Sequence, residues 1–312
     1  MRTSATCSAG GRASPKTSSK PPPSPRNEHP ALTTPHSFPT TALLGAGSMG
    51  QAVLAGLLRP DVTVEGGIRA TTRSASRAAT VPEHPSLSVY STETDPRANQ
   101  VAVTDARIVI VGVKPYMVTD LLAEIAPSLA PDAIVVSLAA GVTLDVFERA
   151  LPSSVAVVRA MPNTPSLIGK GVTGLAQGKR ASDEQFALVT ALFELVGDVV
   201  AVPEGEIDAL SSISGSGPAY FFYLVEQLTA AAVAKGFTPS QAATLVNGTF
   251  IGAAALLEHT GEDPAELRRR VTSPKGTTEQ AIRVLSEGGL EKLFTEATDA
   301  AVARSKELAS GS

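Results

Sequence analysis

The sequence predicts an α/β fold in which a doubly wound parallel sheet is followed by an all-helical second domain. From Thr41, short runs rich in β-branched residues alternate with helical patterns, which is the order expected of parallel strands joined by crossover helices. A glycine-rich turn separates the first run from the first helix, and strand signals stop after about Glu204. With 312 residues, 43% of them hydrophobic, the chain is long enough for two domains.

Residues 1–40 differ from the rest in composition. They are dominated by Ser, Pro and Thr and show no apolar periodicity, so we expect a disordered tail. Their excess of basic residues is similar to that of organellar transit peptides, but their prolines oppose the amphipathic helix that such peptides form. We therefore favour a plain tail or an upstream translation start.

The first domain is predicted to span residues 41–204. Its strands are expected at 41–45, 67–72, 107–113, 133–138 and 155–159, and its helices at 49–58, 117–129 and 143–151. The second domain, residues 205–312, is expected to contain helices at 205–213, 217–235, 239–258, 262–270 and 277–309.

The stretch Ala219–Ala234 is apolar on nearly all sides, which is typical of a helix buried in a large core or between subunits. The second domain is short for such a core. We therefore expect an intertwined homodimer, with a higher oligomer of such dimers left open and a fully internal helix as the alternative.

Charge and the rarer residue types oppose several classes of function. A net charge of −4 and an isoelectric point near 5.7 argue against binding to nucleic acid or an anionic membrane, and favour a small-molecule substrate. Cys7 is the only cysteine, so we expect neither a disulfide framework nor a thiolate metal site, and we expect a reducing compartment, the cytoplasm. The four histidines lack the spacing of metal ligands, so we expect no metal. Every apolar run is interrupted by charge, Pro or Gly, so we expect no membrane span.

The segment Leu43–Gly50 places G-x-G-x-x-G between a predicted strand and a helix. The glycines allow a tight turn, close approach of the backbone to a pyrophosphate, and close packing of helix on strand, and the helix N-terminus favours the anion. This context predicts a Rossmann-type dinucleotide site, the alternative being an ordinary glycine-rich turn. The candidate cofactor residues are Gly45, Ala46, Gly47, Ser48, Met49 and Gly50.

The end of the second predicted strand indicates which dinucleotide binds. NAD-binding sites usually carry an acidic residue there, but residues 68–74 contain no carboxylate. Arg73, with Thr72 and Ser74, suits a 2′-phosphate, which favours NADPH with NADH still possible. A solvated surface arginine is the alternative, and the insertion-like segment Asp61–Gly67 leaves the register of this strand open.

A further predicted strand, 107–113, ends at Val113 and is followed by Lys114 and Pro115, and all three are cofactor candidates. Ligands of open α/β folds bind at the carboxyl edge of the sheet, where Lys114 would cover the adenosine side of the cofactor. Alternatively, Pro115 only starts the next helix.

Six ordered blocks together resemble the pyrroline-5-carboxylate reductases over residues 41–309. They are GAGSMG at 45–50, VGVKP at 111–115, SLAAGVT at 137–143, RAMPNTP at 159–165, SGSGPAY at 214–220 and VTSPKGTT at 271–278. The resemblance implies a Rossmann domain, an all-helical dimerisation domain, NAD(P)H as hydride donor, and reduction of L-1-pyrroline-5-carboxylate to L-proline, the last step of proline biosynthesis. Reduction of a cyclic imine needs a positioned hydride and a proton, and no metal or covalent nucleophile.

The resemblance also implies site residues. A Ser-Pro turn feeding a helix start would present N–H groups and hydroxyls to the substrate carboxylate, and the Thr278 hydroxyl would also reach the ring nitrogen. In the family the SGSGPAY segment faces the nicotinamide and the imine, and the position of Glu204 contacts proline. The catalytic candidates are Thr278 and Ser216; the substrate candidates are Ser273, Gly276, Thr277, Thr278 and Glu204; the further cofactor candidates are Asn99, Ala140 and Asn163. The plain alternative for both helix starts is an ordinary cap.

Lys275 departs from the family pattern, because Pro-Gly-Gly-Thr-Thr is usual where this chain reads Pro-Lys-Gly-Thr-Thr. It replaces a residue that adopts positive φ freely, and either strengthens anion binding or narrows the site toward another imine.

Two other functions remain open. One is a β-hydroxyacid dehydrogenase or imine reductase, but such enzymes generally place a catalytic Lys or Asp on the long interdomain helix, and here Lys235 lies only at the far end of that helix. The other is a non-catalytic NADPH sensor, which would not need the SPKGTT and SGSGPAY blocks.

Overall fold

The computed structural model describes residue 1 and residues 36–310, and residues 36–310 belong to one compact unit. Most of the predicted disordered tail lies outside the described residues. For its end the prediction is wrong, because His36–Phe38 forms a strand that pairs in parallel with Val62–Val64. Phe38 is buried, so a single apolar side chain attaches this segment to the core.

Ten strands form two sheets among the described residues. They are β1 His36–Phe38, β2 Thr41–Leu44, β3 Val62–Val64, β4 Ile68–Thr72, β5 Leu87–Ser91, β6 Ile108–Val111, β7 Ile134–Ser137, β8 Ala156–Met161, β9 Gly171–Gln177 and β10 Gly197–Ala201. The large sheet has the order β10-β9-β8-β7-β6-β2-β4-β5, and β1 with β3 forms a separate pair. Six neighbouring strands of this sheet, β8, β7, β6, β2, β4 and β5, are parallel, whereas β9 runs antiparallel to β8.

Twelve α-helices are described. They are α1 Ser48–Leu57, α2 Ala75–Ala78, α3 Ala98–Val103, α4 Val118–Ile125, α5 Leu144–Ala150, α6 Asp183–Glu194, α7 Ile207–Leu210, α8 Gly217–Ala234, α9 Pro239–Thr260, α10 Pro264–Arg270, α11 Thr277–Glu287 and α12 Leu290–Ser310. The predicted helix at 277–309 is two helices, because Gly289 adopts a φ of 71° between them. The predicted helix at 205–213 is a 3₁₀ turn, α7 and a π turn at Ser211–Gly215.

Both faces of the large sheet are buried. Ala42 and Leu44 of β2 lie in one apolar cluster with Phe147, and Leu43 lies in the other with Phe193. Alternate side chains of a strand point to opposite faces, so a strand covered by helices on both faces reads as a continuous apolar run. This is why the central strands were recognisable in the sequence.

The helical domain exposes its apolar residues. No residue of α8 is buried, and Phe222 of α8 and Ile251 of α9 are 58% and 66% exposed. A fully internal helix is therefore wrong for the single chain. Of the described helices, α9 alone is long and apolar enough to cross a membrane by length and mean hydropathy (1.2). The expectation that no apolar run is long enough is therefore wrong for α9, whose acidic Glu258 and basic His259 both lie near its end.

Candidate active site

The glycine loop after β2 lies where the order of the sheet reverses. β2 pairs with β6 on one side and with β4 on the other, so consecutive crossovers leave it in opposite directions and open a crevice at the carboxyl edge. Gly45 has a φ of 86°, and its N–H and that of Ala46 both donate to the Thr71 carbonyl, at 3.1 and 3.0 Å. The loop is thereby held to the end of β4.

Two of the three glycines are required by close packing. A Cβ on Gly45 would lie 2.9 Å from Val113, and a Cβ on Gly50 would lie 2.9 Å from the Gly45 carbonyl oxygen. Around Gly47, by contrast, no described atom lies within 4 Å of such a Cβ. In the described chain no side chain caps α1 and no acidic residue lies in its first turn, so its N-terminus, including Ser48 and Met49, fits a pyrophosphate.

The register of β4 against β2, which the sequence left open, places Arg73. Leu44 pairs with Thr71, so Arg73 is the first residue after the strand, and it is exposed. The Thr72 hydroxyl donates to the Ser74 carbonyl at 3.0 Å, and its contact with a 2′-phosphate stays a prediction. Sequence reasoning also missed Glu93, whose carboxylate accepts the N–H of Ala75 at 3.0 Å beside Arg73.

The other cofactor candidates follow neighbouring strands of the sheet or lie at the start of a helix. Lys114, Pro115 and Ala140 follow β6 and β7 and are exposed at the same edge of the sheet. Asn99 lies at the start of α3, where its amide donates to the Glu124 carboxylate at 3.2 Å. Their contacts with a cofactor stay predictions.

Asn163 holds two backbone segments together. Its side-chain amide donates to the Ser214 carbonyl at 3.0 Å, and its side-chain oxygen accepts the N–H of Val172 at 2.8 Å. It therefore connects the end of β8 to the π turn that precedes α8. Its second side-chain N–H and the second lone pair of its side-chain oxygen are left for a ligand.

The π turn places Ser216 at the start of α8. The Ser216 N–H donates to the Ser211 carbonyl at 2.9 Å, and the Tyr220 hydroxyl donates to the Ser212 carbonyl at 3.0 Å. Irregular turns of this kind often lie at functional sites. In the described structure the Ser216 side chain makes no capping bond, so its hydroxyl stays available for a ligand.

Glu204 has structural partners that sequence reasoning did not foresee. One carboxylate oxygen accepts the N–H of Leu144 at 2.6 Å and an N–H of Arg159 at 3.3 Å. A second N–H of Arg159 reaches Asp208 at 3.4 Å. Glu204 thus caps α5 and pairs with a buried arginine, which leaves its other oxygen for a substrate.

The SPKGTT block lies between α10 and α11. Lys275 has a φ of 60°, the strained region in which glycine would be unstrained, and its N–H donates to the Glu279 carboxylate at 2.8 Å. The Gly276 N–H donates to the Ser273 carbonyl at 2.9 Å, and its role as a backbone donor to the substrate stays a prediction. The donors left are the N–H groups of Thr277 and Thr278 and the nearby hydroxyls. Gly276 is the N-cap of α11, and in the described structure no side chain caps this helix.

The described chain does not bring all the candidates together. Ser273, Lys275, Thr277 and Thr278 are exposed, and no hydrogen bond or ion pair between described residues joins the SPKGTT block to the carboxyl edge of the sheet. Within residues 36–310, no three His, Cys, Asp or Glu side chains converge as metal ligands would.

Two families match separate parts of the chain. Residues 204–308 match the family described as pyrroline-5-carboxylate reductase dimerisation, and residues 40–141 match the family described as NADP oxidoreductase, coenzyme F420-dependent. The boundary of the first match coincides with the 3₁₀ turn at Glu204–Glu206.

Whole-chain relatives agree with these matches. A pyrroline-5-carboxylate reductase of Corynebacterium melassecola is 38% identical over 272 residues, which cover 86% of this chain and 98% of that protein. One of Mycobacterium leprae is 41% identical over 294 residues, covering 87% of this chain and 97% of that protein. The solved structure of a pyrroline-5-carboxylate reductase from Coxiella burnetii matches with a TM-score of 0.77 at 36% identity, covering 86% of this chain and 97% of that one. The chain therefore belongs to the pyrroline-5-carboxylate reductase family.

Proposed function

We propose that this chain reduces L-1-pyrroline-5-carboxylate to L-proline with NADPH as hydride donor, the last step of proline biosynthesis. The observation that supports it most is a pair of helices, α1 and α11, that begin at extended glycine N-caps, Gly47 and Gly276, with no side-chain cap in the described structure. Such N-termini bind anions. One suits the pyrophosphate of the cofactor and the other the carboxylate of a small imino acid.

The cofactor supplies the hydride for the carbon of the C=N bond. The chain's own residues bind and orient the substrate: Thr277 and Thr278 donate to its carboxylate, and the Thr278 hydroxyl lies toward the ring nitrogen, which carries the proton of the iminium form. The Ser216 hydroxyl faces the same ring from the start of α8. Positioning of this kind supplies much of the rate for an electrophile as reactive as an iminium.

The preference for NADPH rests on Arg73. It lies exposed directly after β4, while the Glu93 carboxylate accepts the backbone N–H of Ala75. A guanidinium there suits a 2′-phosphate more than a ribose hydroxyl. NADH remains a weaker donor in this proposal.

The proposal includes a homodimer in the cytoplasm. Exposed aromatic and aliphatic side chains on α8 and α9, among them Phe222 and Ile251, would be covered by a second copy. The SPKGTT block, isolated in the described chain, would then approach a cleft that the single chain leaves incomplete. A higher oligomer would be assembled from such dimers.

NADPH oxidation, followed with and without pyrroline-5-carboxylate, tests the proposal. We expect turnover with this substrate, slower turnover with NADH, and little with pyrroline-2-carboxylate or piperideine carboxylate. Thr278→Ala should lower kcat/KM by roughly tenfold, because one transition-state hydrogen bond is lost. Binding of NADPH without turnover would instead support the sensor function, and wild-type kinetics in Thr278→Ala would remove this residue from the site.

A further inference from the structure

A charged side chain lies inside the large sheet. Arg159 belongs to β8, which is paired with β7 on one side and β9 on the other, and its side chain is only 6% exposed. A guanidinium withdrawn from water is stable only where acceptors take its N–H groups. The elements that supply these acceptors are consequently tied to the middle of the sheet.

Two carboxylates from the start of the helical domain supply them. Arg159 donates to Glu204 at 3.3 Å and to Asp208 at 3.4 Å, and these side chains are 31% and 25% exposed. We call these three residues the Arg159 triad. Each carboxylate also holds another element: Glu204 accepts the N–H of Leu144 at 2.6 Å, and Asp208 accepts the Ser305 hydroxyl at 2.9 Å.

The segments held by the Arg159 triad are those of the candidate site. Leu144 is the first residue of α5 and follows the loop that carries Ala140 beyond β7. Four residues after Arg159, Asn163 bonds the Ser214 carbonyl in the π turn before Ser216. Ser305 brings α12 into the same network. The glycine loop and Arg73, by contrast, follow β2 and β4 and have no hydrogen bond to the triad among the described residues.

Building on the proposed function, we propose that Arg159 is a positioning residue of the reductase. Acting through Glu204 and Asp208, it fixes the loop before Leu144 and the start of the helical domain, so that the hydride donor and the imine meet in the reactive geometry. Small displacements of such segments lower turnover strongly, because reacting atoms must approach closely. Binding of the adenosine and pyrophosphate part of the cofactor does not depend on it.

The test compares Arg159→Met with Arg107→Met. Arg107 pairs with Asp132 at the opposite, amino edge of the same sheet, which makes it a matched control. We expect Arg159→Met to lower kcat by about tenfold or more, while the Kd for NADPH changes by less than about twofold, and Arg107→Met to retain wild-type kinetics. Arg159→Lys should recover only part of kcat, because one ammonium replaces the fork that reaches both acids. An unchanged kcat in folded Arg159→Met would overturn the proposal.

A milder variant covers the case in which Arg159→Met does not fold. Asp208→Asn removes one charge and keeps the pair with Glu204, so we expect a native melting temperature together with a reduced kcat. Wild-type kcat in this variant would then overturn the proposal.

Amide hydrogen exchange separates this proposal from the reaction assignment. Whatever the substrate, exchange of the Leu144 amide should be faster in folded Arg159→Met than in the wild type, because Glu204, the carboxylate that accepts this amide, loses its partner Arg159. Equal exchange in variant and wild type would overturn the positioning role. Absence of wild-type turnover would overturn only the proposed reaction.

Discussion

Lys275 combines backbone strain with a charge beside the proposed carboxylate site. Its φ of 60° is unfavourable for a side chain, and the bond from its N–H to Glu279 holds it there. The strain was foreseeable from the sequence, because the family usually has glycine at this position. We predict that the charge of this lysine contributes to binding of the substrate carboxylate.

Replacing this lysine by glycine and by alanine separates strain from charge. Lys275→Gly should raise the free energy of unfolding by about 0.5–1 kcal/mol relative to Lys275→Ala, because only glycine relieves the positive φ. Both variants should raise the KM for the imino acid by a similar factor, about two- to fivefold, since both remove the ammonium. Urea unfolding and steady-state kinetics measure the two effects. Equal stability of the two variants would contradict the strain, and unchanged KM values would contradict the role of the charge.

Arg73 decides the choice of cofactor in our proposal. Arg73→Ala should raise the KM for NADPH by about tenfold or more and leave that for NADH within about twofold, because a charge-assisted bond to the 2′-phosphate contributes roughly 1.5–3 kcal/mol. Arg149, which is exposed on α5, is a control whose replacement by alanine should leave both KM values unchanged. If the ratio of the two KM values does not change in Arg73→Ala, the phosphate contact is wrong.

Some of the residues that shape the site could be predicted from the sequence, and others could not. The glycine loop was predictable, because its motif lies between a strand and a helix. Close packing requires Gly45 and Gly50, and Gly47 leaves room for the expected pyrophosphate. Arg159 was missed as a structural residue, although a charge within an apolar strand is itself a signal of buried partners. Glu93 was missed because its position beside Arg73 depends on the pairing of β4 with β5, which the sequence does not reveal.

Individual elements were predictable when they were long or wholly apolar. The five predicted strands are present, whereas β1, β3, β5, β9 and β10 were not predicted. β1 and β3 have only three residues each, and β9 carries two glycines, so neither length nor periodicity distinguishes them. The missed β9 matters for the site, because the N–H of Val172 at its start anchors Asn163.

Asn163 connects three elements, β8, β9 and the π turn. Asn163→Ala would leave a buried backbone N–H and carbonyl without their partner, and should lower the free energy of unfolding by about 2–4 kcal/mol. Tyr220→Phe removes a single bond to the same turn and should cost about 1 kcal/mol. Urea denaturation of both variants measures the difference. Equal losses would show that Asn163 does not connect two segments.

The whole molecule has an asymmetry between its two domains. The sheet is covered on both faces, while α8 exposes Phe221, Phe222 and Tyr223 at 38%, 58% and 61%. Apolar patches of this extent usually mark an interface. The all-round apolar pattern of Ala219–Ala234 indicated this from the sequence, but a pattern cannot distinguish an internal helix from an intersubunit one.

Phe222→Glu tests whether a second copy covers this surface. In a symmetric dimer each substitution occurs twice, and each removes about 1.5–3 kcal/mol of apolar burial while adding a charge to be desolvated. We therefore expect the variant to be monomeric by size exclusion with light scattering. Val200→Glu, at an apolar residue 44% exposed on β10, should stay dimeric. The monomer should still bind NADPH, because the glycine loop and Arg73 follow strands of one sheet in the same chain. It should lose turnover, because the SPKGTT block then lacks the cleft that, in our proposal, a second chain completes. A Phe222→Glu protein that elutes with the wild type, or a monomer that keeps full turnover, would contradict this arrangement.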